Sequence, residues 1–269
     1  MFNKILLYFL SISLVLFIFL FKQIPDDKFH IYFLDIGQGD SILIKTPENH
    51  QILIDSGPGP QILAELNKVI PYFDRSLDLL ILSHPHQDHY AGFFNLLDIY
   101  NVDSILLTAV NNNDNYYNKF IELLAEKDIE VLIAHEKMDF LFNDVLLDII
   151  YPFDSLALQN INNLNNSSIV VKVSYKDIKI LLTGDIENEI ESKLLNHDIA
   201  ANILKVPHHG SNSSSSLQFL QKVNPELAVI QNGVNNQFGH PHQESLEKFS
   251  DLGIDILRND LEGTIEFTF

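Results

Sequence analysis

Cysteine is absent from this chain of 269 residues. Its absence excludes disulfide bonds and thiolate metal sites, so a metal ion would have to be bound by His, Asp, Glu, Asn or water. The absence does not identify a compartment, because a chain without cysteine is compatible with both reducing and oxidising surroundings.

Basic residues are scarce. There are 17 lysines and arginines against 36 aspartates and glutamates, which gives a formal net charge of −19 at pH 7. Such a surface repels nucleic acid and anionic membranes at long range, which counts against a tight, nonspecific DNA-binding protein. A nuclease is not excluded, because bound divalent cations reverse the sign of the potential locally.

The rest of the composition suits a folded domain. Hydrophobic residues make up 46% of the chain, which is enough for a sizeable core. Short apolar segments at residues 51–54, 79–82, 178–182 and 203–206 predict buried strands, and helical patterns alternate with them. No long internal repeat is evident. We therefore predict one α/β domain over residues 29–269.

The N-terminus has a different pattern. Residues 5–21 carry no charged side chain and lie between two lysines, and the length of this run is close to the lower limit for a membrane span. Bulky residues occupy positions 19–21, where a cleaved signal peptide would have small ones. We therefore predict an uncleaved transmembrane helix within residues 1–24, followed by a linker at residues 25–28. The balanced flanking lysines give no orientation.

The most informative segment, residues 83–92, reads Ser-His-Pro-His-Gln-Asp-His-Tyr-Ala-Gly and follows the predicted strand at residues 79–82. A loop after a buried strand is a common location for catalytic groups. Neutral imidazoles and carboxylates are ligands for zinc, iron or manganese. A solvated polar loop with incidental histidines is the alternative, but it does not explain why four such side chains occur together. The four are His84, His86, Asp88 and His89.

Further polar groups follow the other predicted strands, namely Asp55, Asp185 and the pair His208 and His209. Because strand ends at one edge of a sheet can converge on one site, we expect these groups to join the first cluster. Taken singly, each has another explanation. Asp55 could be a turn former, Asp185 a helix N-cap, and the histidine pair a surface feature. The prediction depends on their occurrence together.

Two metal ions can be assigned ligands from these residues. His84 and His86 can bind the first ion, and Asp88 and His89 can bind the second. Asp185, on a tight Thr-Gly-Asp turn, is the natural bridging carboxylate. Either member of the histidine pair would complete the second site. Water between the ions would then lose a proton near neutral pH and act as the nucleophile.

The order of these motifs resembles that of the metallo-β-lactamase-fold hydrolases, over about residues 28–269. The HxHxDH motif and the first- and fourth-motif aspartates are matched by His84, His86, Asp88, His89, Asp55 and Asp185. More narrowly, the chain is similar to the extracellular hydrolase domain of ComEC-type competence proteins. This similarity is carried by the phrases FLDIGQGDS at 33–41, LKVPHHGS at 204–211 and GHPH at 239–242.

The resemblance implies an αββα sandwich of the α/β class, which in this chain follows the predicted N-terminal transmembrane helix. It also implies that the domain binds two divalent metal ions, zinc or manganese. It implies that His209 binds the second metal and that Asp88 and His208 take part in catalysis. His240 is a rival for the ligand position of His209. Alternatively, His240 or His242 protonates the leaving group.

One feature departs from the wider family pattern. The third-motif histidine has no counterpart, and the matching segment at residues 165–168 reads Asn-Asn-Ser-Ser. We expect Asn166 to stand near the first metal in its place. An amide oxygen is a weaker ligand than imidazole, so the identity of the metal stays open between zinc and manganese.

The resemblance further implies a membrane-anchored, competence-related hydrolase that cleaves the phosphodiester bonds of DNA with a metal-bound hydroxide. The domain would lie on the outer face of the cytoplasmic membrane. A multi-span channel is not part of these residues, so we expect the domain to act with a separate DNA-uptake channel or independently. Two alternatives are hydrolysis of a phosphocholine ester or lactone, and a non-catalytic regulatory binding module. The intact ligand set argues against the module.

Overall fold

Two β-sheets of seven strands each form the centre of the protein, whose computed structural model describes residues 8, 10–15, 17 and 26–269. The first sheet consists of β1 (His30–Phe33), β2 (Ile42–Lys45), β3 (Gln51–Ile54), β4 (Ser76–Ile81), β5 (Asn101–Leu107), β6 (Glu130–Ile133) and β14 (Ile265–Thr268). Its order is β14-β1-β2-β3-β4-β5-β6. Neighbours are antiparallel from β14 to β3 and parallel from β3 to β6.

The second sheet repeats this arrangement. It consists of β7 (Phe140–Phe142), β8 (Val145–Tyr151), β9 (Val170–Tyr175), β10 (Ile178–Leu182), β11 (Ile203–Lys205), β12 (Leu227–Ile230) and β13 (Asp255–Arg258). Neighbours are antiparallel from β7 to β10 and parallel from β10 to β13. The chain builds β1 to β6 of the first sheet before it builds the second sheet, and β14 then returns to pair with β1.

Helices cover the outer face of each sheet. The first sheet carries α1 (Gln61–Val69), α2 (Gln87–Leu96) and α3 (Asn115–Glu126), and the second carries α4 (Asn188–Leu194), α5 (Leu217–Val223) and α6 (Gln243–Asp251). A short α7 (Asn259–Glu262) connects β13 to β14. Side-chain caps fix two helix starts: Asp114 accepts a hydrogen bond from Tyr116 N at α3, and Ser216 accepts one from Phe219 N at α5.

Strand β4 shows why the sheets form two cores. Leu79 and Ile81 face the opposite sheet, whereas Leu80 and Leu82 pack beneath the helices, since successive strand residues point to opposite faces. All four side chains are buried. A strand buried on both faces reads as a continuous apolar run, which is the pattern that predicted it. The four layers confirm the predicted αββα sandwich.

The histidine-rich segment differs from the predicted loop. Helix α2 begins at Gln87, so Asp88 and His89 lie in its first turn and only His84 and His86 precede it. The helix packs closely on the chain beyond β3. A Cβ on Gly92 would lie 2.2 Å from the backbone oxygen of Ser56, so glycine is the residue that permits this approach.

The predicted anchor within residues 1–24 lies largely outside the described residues, and of the predicted linker at residues 25–28 only residue 25 does. Residues 8, 10–15 and 17 are helical. Within the described part of the chain, no helix is long and apolar enough to cross a membrane. The transmembrane helix and the domain boundary at residue 29 stay predictions.

Candidate metal centre

Asp185 lies at the centre of the site, on the turn that follows β10. Its Oδ2 atom is 3.2 Å from His209 Nε2 and 3.4 Å from His89 Nε2. The same oxygen is 4.0 Å from His84 Nε2. The backbone N–H of Asp185 donates to Ser168 Oγ, which fixes the turn. Residues from three strand ends therefore meet at one carboxylate, as the sequence predicted.

His84 and His86 form one side of the site. The Nε2 atom of His84 is 2.9 Å from Nδ1 of His86. Asn165 lines the same cleft, and its side-chain oxygen is buried without a hydrogen-bond partner. The side chain of Asn166 points elsewhere: its oxygen accepts from Glu187 N and its amide donates to Glu189. The structure thus brings Asn165 into the cleft and places the predicted Asn166 outside it.

Asp88, His89 and His209 form the other side. Asp88 Oδ2 lies 3.9 Å from His89 Nε2 and 3.7 Å from His209 Nε2. Both Nε2 atoms are buried and have no hydrogen-bond partner. Buried polar atoms are normally paired, so two orphaned nitrogens that face carboxylates fit the donor set of a metal ion. His209 belongs to such groups of potential ligands among the described residues, and His240 does not.

The Nδ1 atoms of these histidines make hydrogen bonds on the side of each ring that faces away from the cleft. His89 Nδ1 donates to Asp55 Oδ2 at 2.8 Å, and His209 Nδ1 donates to the Gln231 carbonyl at 2.8 Å. Asp55 also accepts hydrogen bonds from the backbone N–H and hydroxyl of Ser83, and that hydroxyl lies 3.1 Å from His84 Nδ1. Such contacts fix the orientation of the rings and point their Nε2 atoms into the cleft. Asp55 therefore orients the histidines from outside the centre.

The electric field at the centre favours positive charge. Burial alone would lower the pKa of His209, but the carboxylates of Asp185 and Asp40 together outweigh it and raise the pKa to about 10. Burial likewise opposes ionisation of Asp185, yet His209, His89 and Lys205 hold the pKa of its carboxyl well below the usual value. The site concentrates negative charge on Asp185, where a divalent cation would be stabilised.

His208 and His240 line the cleft beside the centre. Their ring centroids are 5.5 Å apart. His208 Nδ1 lies 3.2 Å from Ser213 Oγ. Burial lowers the pKa of His240 to about 4, and His209 and His208 add to the shift, so its ring is neutral at pH 7. His242 is not among the lining residues, and its Nδ1 accepts a hydrogen bond from Asn212 N.

Two buried residues of the site were missed by the sequence-based assignment, although both stand in phrases that carried the resemblance. Lys205, at the end of β11, is fully buried and pairs with Asp40. Burial would lower the pKa of Lys205, but Asp40 and Asp185 outweigh it and raise the pKa. A lysine that ends an apolar strand requires a buried partner, and this requirement was the available signal.

Fold and site together define a metal-dependent hydrolase with a two-sheet α/β architecture. The sequence profile of the Metallo-beta-lactamase superfamily matches residues 34–233. The chain belongs to this superfamily.

Comparison with known proteins confirms the resemblance to competence proteins. ComE operon protein 3 from Bacillus subtilis (strain 168) is 30% identical over 256 residues, which cover 88% of this chain and 32% of that protein. Competence protein ComA from Neisseria gonorrhoeae is 30% identical over 255 residues, which cover 91% of this chain and 33% of that protein. The chain thus spans about a third of the length of these relatives.

The fold also occurs in solved structures. The metallo-beta-lactamase fold protein YhfI from Bacillus subtilis superposes with a TM-score of 0.60 at 12% identity, covering 90% of this chain and 100% of that one. At this identity the likeness concerns the fold alone.

Proposed function

We propose that this protein is a two-metal phosphodiesterase that acts on DNA. The observation that carries the proposal is the pair of buried, unpartnered Nε2 atoms of His89 and His209, which face Asp88 and Asp185. Two divalent cations, zinc or manganese, would supply charge that stabilises both the attacking and the leaving oxygen of a phosphodiester.

The residues around the cleft have two roles, to bind the cations and to donate hydrogen bonds to the substrate. His84 and His86 would hold the first cation, Asp88, His89 and His209 would hold the second, and Asp185 would contribute its carboxylate to the centre. His208 and His240 flank the cleft as neutral imidazoles, since burial lowers the pKa of both. A neutral imidazole carries one N–H, which can donate a hydrogen bond to a phosphate or leaving-group oxygen.

An aromatic rim supports DNA as the substrate. Phe238 lines the cleft and is 52% exposed, and its ring stacks on His240 with centroids 5.7 Å apart. Nucleobases stack on such exposed rings whatever their identity. Similarity to proteins named for competence points to the same substrate.

The membrane setting belongs to the same proposal. Residues 1–24 anchor the protein, and the domain from residue 29 onward works on the outer face of the cytoplasmic membrane together with a DNA-uptake channel. The support is the uncharged run at residues 5–21 and the similarity to competence proteins.

A substrate panel tests the proposed reaction. The protein is incubated with MnCl2 or ZnCl2 and offered single-stranded DNA, bis(p-nitrophenyl) phosphate, a lactone and a phosphocholine ester. We expect metal-dependent cleavage of the two phosphodiesters and loss of cleavage with EDTA. Hydrolysis of the lactone or phosphocholine ester in preference to both would contradict the proposal, and no hydrolysis of any substrate would favour a binding module.

The proposed stacking of a base on Phe238 leads to a separate prediction. Replacing Phe238 by alanine should raise KM for single-stranded DNA by about tenfold, because stacking on one base contributes about 1–3 kcal/mol. The expected effect falls on KM, because the ring supplies stacking surface and carries no group that donates or accepts a proton. Val234→Ala is the matched control, because Val234 is an exposed apolar residue of the same loop. Equal KM values for the two variants would remove Phe238 from the binding surface.

A further inference from the structure

Lys205 occupies an unusual position for a lysine. Its side chain is fully buried at the inner side of the metal centre. The ammonium donates to the Gly184 carbonyl at 3.0 Å, pairs with the Asp40 carboxylate, and lies 3.5 Å from Asp185 Oδ1. A well-packed apolar residue in place of a buried ion pair is often neutral or stabilising. Stability of the fold therefore does not explain why the pair is present.

Asp40 connects the same pair to a second metal ligand. Asp40 Oδ2 forms an ion pair with the ammonium of Lys205, and Asp40 Oδ1 lies 3.4 Å from His209 Nδ1. Asp185 is divided in the same way. Its Oδ1 faces Lys205, whereas its Oδ2 faces the orphaned histidine nitrogens. The two carboxylates thus present one oxygen to the lysine and one to the histidines.

The inner groups could themselves bind a cation. Asp40, Asp185 and His209 each offer a ligand atom, and these atoms lie within 4.8 Å of one another. The ammonium of Lys205 lies beside this group and neutralises one of its carboxylates. A second positive charge there would be repelled by the ammonium at short range.

We infer that Lys205 is a fixed cation on the inner side of the centre, which neutralises Asp40 and engages one oxygen of Asp185 so that only Oδ2 remains for metal ions. Lys205 and Asp40 are then positioning residues that act through Asp185 and His209. This inference rests on the proposed metal binding and specifies how the donor set is arranged.

Calorimetric titration of the metal-free 269-residue chain with MnCl2 tests the inference. The variants are Lys205→Met, Asp40→Asn and the double substitution, which removes both charges. Lys172→Met is the matched control, because Lys172 is another buried lysine in an ion pair, with Asp198, away from the centre.

The two single variants should shift affinity in opposite directions. Lys205→Met leaves two carboxylates without their counter-charge, so Kd for Mn²⁺ should fall by about tenfold or more. Asp40→Asn leaves the ammonium to pair with Asp185 alone, so Kd should rise by about tenfold or more. The double variant should return close to the unaltered value, and Lys172→Met should not change it.

A second readout separates positioning from charge. At saturating Mn²⁺, kcat of Lys205→Met should fall by about tenfold although the metal binds more tightly, because Oδ1 of Asp185 is no longer held. Parallel or absent shifts in the two single variants, with normal binding by the unaltered protein, would overturn this inference alone. Absence of Mn²⁺ binding by the unaltered protein would overturn the proposed function as well.

Discussion

Replacing Asp185 by asparagine should lower kcat for bis(p-nitrophenyl) phosphate at saturating Mn²⁺ by about a thousandfold or more, a loss of about 4 kcal/mol in transition-state stabilisation. The substitution keeps the shape of the side chain and removes the charge that His84, His89 and His209 surround. Initial rates over a range of substrate concentrations separate kcat from KM.

The control for this variant is Asp198→Asn. Asp198 is an exposed aspartate that pairs with Lys172, so its loss should leave hydrolysis unchanged. Circular dichroism of both variants confirms that they fold. Hydrolysis by the Asp185 variant at the rate of the unaltered protein would remove Asp185 from the centre and with it the assigned site.

Removing metal should cost the protein about 10 °C in Tm. At a free metal concentration about a thousandfold above Kd, binding adds about 4 kcal/mol to the free energy of unfolding. In a domain of this size each kcal/mol shifts Tm by about 2–4 °C. The physical reason is the buried Nε2 atoms of His89 and His209, which have no other partner.

Thermal unfolding with MnCl2 and with EDTA measures this difference. The Asp185→Asn protein supplies the comparison, since it should show little of the metal-dependent rise. An unaltered protein with the same Tm under both conditions would mean that the cleft binds no metal.

Much of the fold could be predicted because strand burial leaves a direct pattern. The apolar run at residues 79–82 is continuous because both faces of β4 are buried. The start of α2 could not be read in the same way. The predicted ligands at residues 84–89 lie on both sides of the boundary between loop and helix. The first turn of the helix therefore carries polar residues, and its apolar helical spacing begins only with Tyr90 and Phe93.

The site was predicted where its residues lie close in sequence or match a known motif, as for His84 and Asp88. The sequence did not predict the roles of Lys205 and Asp40, because their ion pair is a tertiary contact between the two sheets. Asp40 stands in a glycine-containing turn, where aspartate is common for local reasons. The choice between Asn165 and Asn166 depends on the short helical turn Leu164–Ser167, which sends adjacent side chains in different directions.

A crystal structure of the protein grown with MnCl2, with anomalous data, is the decisive test of whether this cleft is a two-metal centre. We expect two anomalous peaks on either side of Asp185 Oδ2, one beside His84 and His86 and one beside Asp88, His89 and His209. Each peak should lie about 2.0–2.3 Å from its histidine nitrogens. A cleft without anomalous density, or a manganese ion bound only elsewhere on the surface, would show that the cleft is not a two-metal centre.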